Sequence, residues 1–415
     1  LVIILDTVRA TSLSLYGRER ATTPKLEQLA REGAAFDYAF APAPWTLPSH
    51  ASMFTGRRAT ELSAGDRAPL DAAFPTIAES FRDRGWSTAG FVANVYYAGH
   101  DSGLRRGFAR WEDYRTTLAQ ILWSSTLAQM ELAKRLAWST TWGDAADAVS
   151  DFDLGLEPLR FADRKAGHTV TDQFLDWQAE QGERPFFAFL NYFDAHAAYL
   201  PPGRYRRLFS RAPSQLDLYE SCIRYLDDEL DRLFTALRAR GALDNTIVVV
   251  ASDHGEYFGE HGKTGHGNGL HQPVLRVPLV IRYPARVPAG TRVARAVSLS
   301  EIPATLLDLA GARDARFPGR SLARYWRDDG GSEDGGVVVA DLTGPLGGPP
   351  ESGRSWHALA TDDLLLIRSS DGREELYAYR DDPGEARDLS ERAARDGRLR
   401  ARRDSLGALL AGAPR

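Results

Sequence analysis

Apolar and polar positions along the chain fall into two alternating rhythms. Short runs that are apolar or β-branched, Leu1–Leu5, Thr88–Ala93, Phe186–Tyr192, Thr246–Ser252 and Pro278–Arg282, predict strands buried on both faces. Between them lie spacings such as Leu216, Tyr219, Ile223, Leu226, Leu230, Leu233 and Leu237, which share one face of a helix. The alternation predicts an α/β fold with a mostly parallel sheet covered by helices on both sides. Residues 115–153 read as a helical insertion rich in tryptophan (Trp123, Trp138, Trp142), and residues 328–353, dense in Gly, Pro and Asp, read as loop. Beyond them His357–Arg368 alternates like an antiparallel strand, Glu374–Tyr379 like another, and a helix from about Ser390 to Leu410 closes the chain. The expected organisation is one domain over 1–327 and a small α+β subdomain over 328–415.

Composition narrows the classes. With 415 residues, 43% of them hydrophobic and 26% charged, the chain can bury a large core, which excludes disordered, collagen-like and coiled-coil proteins. The net charge of -5, with both signs scattered, offers no basic surface for nucleic acid. A single cysteine, Cys222, excludes an intrachain disulfide framework and any multi-cysteine metal site. No apolar run reaches the ~18 residues that cross a bilayer. The chain opens at Leu1 inside an apolar run and without methionine, as expected if its true start, with a signal peptide or anchor, is missing. Exported and cytoplasmic locations both stay open.

The chemistry begins at the strand ends, where the carboxyl edge of a parallel sheet forms a ligand crevice. Asp6 follows the first run, Asp194 and His196 follow the run ending at Tyr192, and Asp253 and His254 follow Ser252, with Gly255 for the turn. One such aspartate alone is ordinarily a cap or turn residue. Carboxylates at three strand ends, two with a histidine close by, make a donor set of hard oxygen and borderline nitrogen that suits a divalent cation. Just downstream, His261, Lys263 and His266 are threaded with glycines. A second signal is Ala43-Pro-Trp-Thr46-Leu-Pro48-Ser49-His50, which fits a helix start with Pro48 in its first turn. Thr46 then reads either as a cap or as a nucleophile at a helix N-terminus, whose N–H groups and dipole favour phosphate or sulfate. His50, Lys263 and Asn94, the last closing Thr88–Ala93, are candidates to touch substrate.

Leu1-Val-Ile-Ile-Leu-Asp6, Pro44-Trp-Thr46-Leu-Pro48-Ser49-His50, Asp194-Ala-His196, Ser252-Asp253-His254-Gly255-Glu256 through His266-Gly267, Arg276-Val-Pro278 and Gly319-Arg-Ser-Leu322 together resemble the sulfatase family of the alkaline phosphatase superfamily. The likeness runs over nearly the whole chain, in order. It implies an alkaline phosphatase-like α/β sandwich with a smaller C-terminal sheet subdomain. It implies one divalent metal ion (Mn, Mg, Ca or Zn) on Asp6, Thr46, Asp253 and His254, with His196 and His266 at the transferred group and its leaving oxygen. A second metal on Asp194, His196 and His266 is an open alternative. Two departures matter. Family members resemble Cys-x-Pro-Ser-Arg at the nucleophile, the Cys or Ser becoming formylglycine; here Thr46 stands there and His50 replaces Arg. Oxidised threonine gives a ketone and not that aldehyde, which closes the formylglycine route. In addition His266 occupies the place of a frequent Lys, and a histidine protonates a leaving alkoxide near neutral pH better than a lysine of ordinary pKa.

The resulting expectation is a metal-dependent hydrolase or transferase that cleaves a small-molecule, lipid or glycan phosphoester, or a related oxyanion ester, through Thr46. Alternatives are a sulfuric-ester hydrolase without formylglycine and a metal-stabilised binding protein without turnover.

Overall fold

A computed structural model describes residues 1–65, 68–113, 165–327, 336–343 and 354–412, so the expected insertion at 115–153 lies outside the described residues. The main-sheet strands are β1 (Val2–Leu5), β2 (Ala34–Phe40), β3 (Ser87–Val92), β4 (Arg110–Glu112), β5 (Phe186–Tyr192), β6 (Val248–Ala251), β9 (Arg276–Val277), β10 (Leu279–Arg282) and β11 (Thr291–Ser298). The short hairpin strands β7 (Tyr257–Phe258) and β8 (Thr264–Gly265) pair with each other. The order across the main sheet is β11-β2-β10-β6-β1-β5-β3-β4, with β9 beside β2. Central β1 runs parallel to β5 and β6, β3 runs parallel to β5 and β4, and β10 is antiparallel to both neighbours. This is the mostly parallel sheet expected.

Strands β2 and β11 carry a diluted strand signal: Phe36, Tyr38 and Phe40 alternate in Ala34–Phe40 but are interrupted by three alanines and Asp37, and Thr291–Ser298 mixes Val293 and Val297 with two alanines and two arginines. Their pairing with each other and with β10 supplies what propensity does not.

Helices cover both faces: α1 (Pro24–Arg31), α2 (Thr46–Thr55), α3 (Ile77–Arg82), α4 (Gly167–Gln181), α5 (Gln215–Ala239) and α6 (Ile302–Leu309). Successive residues of β1 point to opposite faces, so Val2 and Ile4 join the core under α2, α3 and α6. Ile3 and Leu5 join the core under α1, α4 and α5. Ile3 is wholly enclosed, and truncating such a side chain to alanine costs about 2–5 kcal/mol. The stripe predicted on α5 is buried from Tyr219 to Leu237, and Ser214 caps the helix by accepting from the Asp217 N–H.

The C-terminal part is a four-stranded antiparallel sheet in sequence order, β12 (Val338–Thr343), β13 (Ser355–Ala360), β14 (Leu365–Ser369) and β15 (Glu374–Tyr377). Three expectations are corrected here. Val338–Thr343, within the stretch read as loop, is a strand whose apolar run is masked in the sequence by flanking glycines. The single strand expected at His357–Arg368 is two, because the polar Thr361-Asp362-Asp363 run turns the chain. The closing helix is broken into α7 (Ser390–Ala393) and α8 (Gly397–Gly412). One face of this sheet, including Ala340, Ala358 and Ile367, is continuous with the main core. The other, with Leu359 and Leu366, is covered by Leu406 and Leu410 of α8.

Candidate active site

Four neighbouring strands, β6, β1, β5 and β3, deliver polar residues to one edge of the sheet. Asp6, directly after β1, is wholly buried; its Oδ2 accepts from Asn94 Nδ2 and Asn191 Nδ2, each at 3.1 Å. Its Oδ1 is buried with no hydrogen-bond partner. Asp253, after β6, repeats the pattern: Oδ1 accepts from the Thr7 and His254 N–H groups at 3.2 and 3.0 Å, while Oδ2 has no hydrogen bond. Thr7 sits at φ 62, a left-handed conformation that costs a β-branched residue of order 1–3 kcal/mol, and its N–H is thereby aimed at Asp253.

His254 donates Nδ1–H to the Gly255 carbonyl at 3.0 Å, which leaves Nε2 with a bare lone pair. That nitrogen lies 3.4 Å from Asp253 Oδ2. One donor atom each from Asp6, Asp253 and His254 lies within 4.8 Å of the others. Two orphaned carboxylate oxygens and a bare imidazole nitrogen, all enclosed, are what a divalent cation needs. The electrostatics agree. Burial pushes Asp6 up to about 6 against the pull of its two asparagines. Burial and then the Asp6 charge push Asp253 well above the carboxylate range, and burial and then His266 drive His254 well below its ordinary value. A dication among these groups relieves both the desolvation and the mutual repulsion.

Thr46 opens α2, after an extended Trp45, and the helix ends at left-handed Gly56. Its Oγ1 stands 3.3 Å from His254 Nε2 and 3.4 Å from Asn94 Nδ2. Ser49 Oγ donates to the Asp253 carbonyl at 2.6 Å, binding the helix to the end of β6. His50, expected to touch substrate, is wholly buried: it donates Nδ1–H to the Thr46 carbonyl at 2.8 Å, lies 3.4 Å from Asp253 Oδ2, and packs edge-on against Phe189. Burial lowers its pKa to about 4, so it is a neutral brace behind Thr46. Asn94, also expected to touch substrate, spends its amide on Asp6 and Thr46.

His196 and His266 come from two further loops, their rings 5.1 Å apart, with His266 4.4 Å from the His254 ring. His196 donates Nδ1–H to the Ala197 carbonyl and stacks on Phe193. His266 donates Nδ1–H to Glu256 Oε1 at 2.9 Å. Burial pulls its pKa down, but the Glu256 charge and hydrogen bond, with Asp6 behind them, carry it above the ordinary 6.5. Lys263 lies half-buried on the same hairpin, its ammonium without an ion-pair partner among the described residues. Among the described residues Asp194, His196 and His266, considered for a second metal, do not bring their donor atoms within 4.8 Å of one another, and Asp194 Oδ1 accepts from Gly167 N at 3.1 Å at the start of α4. The cluster able to hold a metal among the described residues is Asp6, Asp253 and His254.

Three contributors escaped the sequence reading. Asn191 is the one polar side chain inside the fully buried end of β5, itself a signal. Glu256 follows His254 by two residues, but its partner lies ten residues on. The left-handed Thr7 has no sequence signature.

Residues 1–312 match the family model described as Sulfatase. The chain is 25% identical to the uncharacterized sulfatase YidJ of Escherichia coli (strain K12), over 94% of this chain and 82% of that one. Among solved structures it is similar to the phosphonate monoester hydrolase of Agrobacterium radiobacter, with a TM-score of 0.76 and 20% identity over 99% of this chain and 94% of the other. It is also similar to a protein solved in complex with its substrate D-glucosamine-2-N,6-O-disulfate, with a TM-score of 0.75 and 18% identity over 99% and 96%. The fold is therefore alkaline phosphatase-like, with a C-terminal antiparallel sheet.

Proposed function

The chain belongs to the sulfatase family of ester-bond hydrolases, and from that premise we propose that it cleaves monoanionic phosphorus esters, or related oxyanion esters, through the Thr46 hydroxyl. The observation that carries this reading is the position of Thr46 Oγ1, 3.3 Å from His254 Nε2 beside the Asp6–Asp253–His254 cluster. Asp6, Asp253, His254 and the Thr46 oxygen would hold one divalent cation, which supplies the positive charge that makes a threonine hydroxyl a competent nucleophile.

The chain's own residues do the rest. Asn94 and Asn191 fix the Asp6 carboxylate, and His50 and Ser49 fix the helix that presents Thr46. Thr46 Oγ1, having given up its proton to solvent, forms a bond to the central atom as the bond from that atom to the leaving oxygen breaks. His266, oriented by Glu256, passes its Nε2 proton to the departing oxygen, and its Nε2 then takes a proton from the water that attacks the central atom and releases Thr46. His196 binds an ester oxygen from the neighbouring loop. Catalysis is assigned to residues 1–327, with 328–415 bearing on them from outside.

Charge selects the substrate class. Asp6, Asp253 and Glu256 are balanced by a dication and a protonated His266, which leaves Lys263 as one further cation on the same hairpin, so the site suits a monoanion: a phosphodiester, a phosphonate monoester or a sulfate monoester. A dianionic phosphomonoester is disfavoured. Phosphorus is preferred over sulfur because an ester of threonine lacks the second hydroxyl with which a formylglycine hydrate expels its oxyanion. It must be opened by attack at the central atom. The sulfuric-ester reading draws on the names of the relatives and stands as the second reading. A panel of 4-nitrophenyl phosphodiester, phosphonate, phosphomonoester and sulfate substrates separates them, with elemental analysis of the protein. Turnover of the diester that disappears in Thr46→Ala supports the proposal; turnover of sulfate alone replaces it with the second reading, and turnover that survives Thr46→Ala refutes both.

A further inference from the structure

His266 is set on a segment with little rigidity of its own. Flanking Gly265 and Gly267 are both left-handed, at φ 71 and 74, and the hairpin behind them has two residues per strand, Tyr257 facing Gly265 and Phe258 facing Thr264. A two-stranded ribbon of this length is not stable alone. What holds it comes from elsewhere. Gly267 N–H donates to the Pro44 carbonyl at 3.0 Å, two residues before Thr46. On the far side the hydroxyl of Tyr257 meets His271 twice, at 2.8 Å from Nδ1 and 3.2 Å from the backbone N–H. The same hydroxyl packs so closely over Gly269 that a Cβ there would lie 2.6 Å from it.

His271 then reaches out of the catalytic domain. Its Nε2 lies 2.9 Å from Glu375 Oε2 on β15, and Tyr377 Oη donates to the same oxygen at 2.8 Å. With Nε2–H given to Glu375, Nδ1 accepts from Tyr257, so the carboxylate sets the tautomer of the chain of bonds. His261, inside the hairpin, stacks on His271 with ring centres 3.7 Å apart and planes 13° from parallel. Its Nε2 approaches Glu385 at 3.5 Å, and Glu385 accepts from Gln272 N–H at 2.9 Å. Histidines 261 and 271 thus bracket His266 in sequence, and both are gripped by the C-terminal subdomain.

We infer that the C-terminal subdomain aims the leaving-group acid, through a brace of Glu375, His271 and Tyr257 in which Glu375 is a positioning residue for His266. The inference rests on the reading of His266 as that acid. An acid that is misaimed costs most when the leaving group needs its proton and little when the leaving group departs unaided.

The test uses the full-length, metal-loaded enzyme and a series of aryl diesters graded by leaving-group pKa, comparing Glu375→Leu, Glu375→Gln, Tyr257→Phe and His266→Ala. Glu375→Leu is expected to lower kcat about 10–100-fold on the least acidic phenol and less than about threefold on 4-nitrophenol. Glu375→Gln, which still accepts from Nε2–H, restores most of that loss, and metal content stays at the wild-type level. Tyr257→Phe, which removes one hydroxyl from a preserved ring, shows the same slope to a smaller degree and serves if Glu375→Leu fails to fold. A steepened slope in His266→Ala but wild-type slopes in the brace variants overturns the inference and leaves the acid in place. An unchanged slope in His266→Ala overturns the acid assignment itself, and the brace with it.

Discussion

The proposed cation pocket and the hairpin carrying the proposed acid His266 lie side by side, yet they are built on opposite plans. The pocket grows from the ends of the central strands: Asp6 one residue past β1, Asp253 two past β6, both wholly enclosed and each with one oxygen tied to an amide or to backbone N–H groups. The hairpin hangs His266 between two left-handed glycines and borrows its restraint from Glu256, Pro44 and β15. Groups that repel one another must be held by something that cannot relax, and a sheet edge provides it. A group that delivers a proton tolerates a softer mount, provided its orientation is imposed from outside. The comparison predicts that pocket substitutions abolish function outright, whereas hairpin substitutions grade it.

The largest effects fall in the pocket. Thr46→Ala should reduce kcat/KM on an aryl diester by about 10⁴-fold or more, because the lost oxygen has no substitute. Its contacts are long, 3.3 and 3.4 Å, so the melting temperature should stay within a few degrees of wild type, about 1 kcal/mol in stability. Unfolding of that variant at ambient temperature would show that Thr46 is a structural cap and no nucleophile. Next comes His266→Ala, at about 10²–10⁴-fold, measured on the substrate with the poorest leaving group.

The third prediction concerns pH and metal removal. Asp6 in the metal-free protein titrates at about 6 against an ordinary 3.8, so the folded state holds its proton more tightly than the unfolded chain. Unfolding free energy therefore falls as pH rises from the ordinary carboxylate range to about 6. The melting temperature of chelator-treated wild type, minus that of Asp6→Asn, should drop between pH 4.5 and 6.5, and a divalent cation should restore it mostly at the upper end. A difference that rises with pH would remove the case for a buried Asp6 carboxylate left without a counter-charge in the metal-free protein.

The two regions also differed in how readable they were. Asp6, Asp253 and His254 could be found because a strand ending in an acid is a local pattern, and several such ends converge in a parallel sheet whatever the loops do. Their supports could not: Asn191 hides within an apolar run, and Thr7 acts through a backbone angle. The hairpin announced its histidines by density alone. Which of them faces the site depends on Glu256 and on β15, more than a hundred residues on, and no local spacing encodes that. His50 shows the same limit, since one helical turn from Thr46 predicts proximity but not that the ring points into the protein. In the fold, β1, β3, β5, β6 and β10 were legible as apolar or β-branched runs, while the signal of β2 and β11 is diluted by alanine and charge and that of β12 is masked by its glycine-rich surroundings.

The smallest effect belongs to Lys263. It shares the hairpin with His266, but its ammonium has no ion-pair partner among the described residues, and its stem passes over Gly269. A half-buried cation on a flexible stem contributes charge to ground state and transition state alike, so it strengthens binding without selecting the transition state. Lys263→Met, which keeps the apolar stem, should raise KM for a monoanionic ester about three- to tenfold at low salt and leave kcat unchanged. The same comparison at 0.5 M salt should shrink the difference, as screening of a partly exposed charge requires. A fall in kcat with constant KM would instead put Lys263 at the reacting atoms and make the hairpin as unforgiving as the pocket.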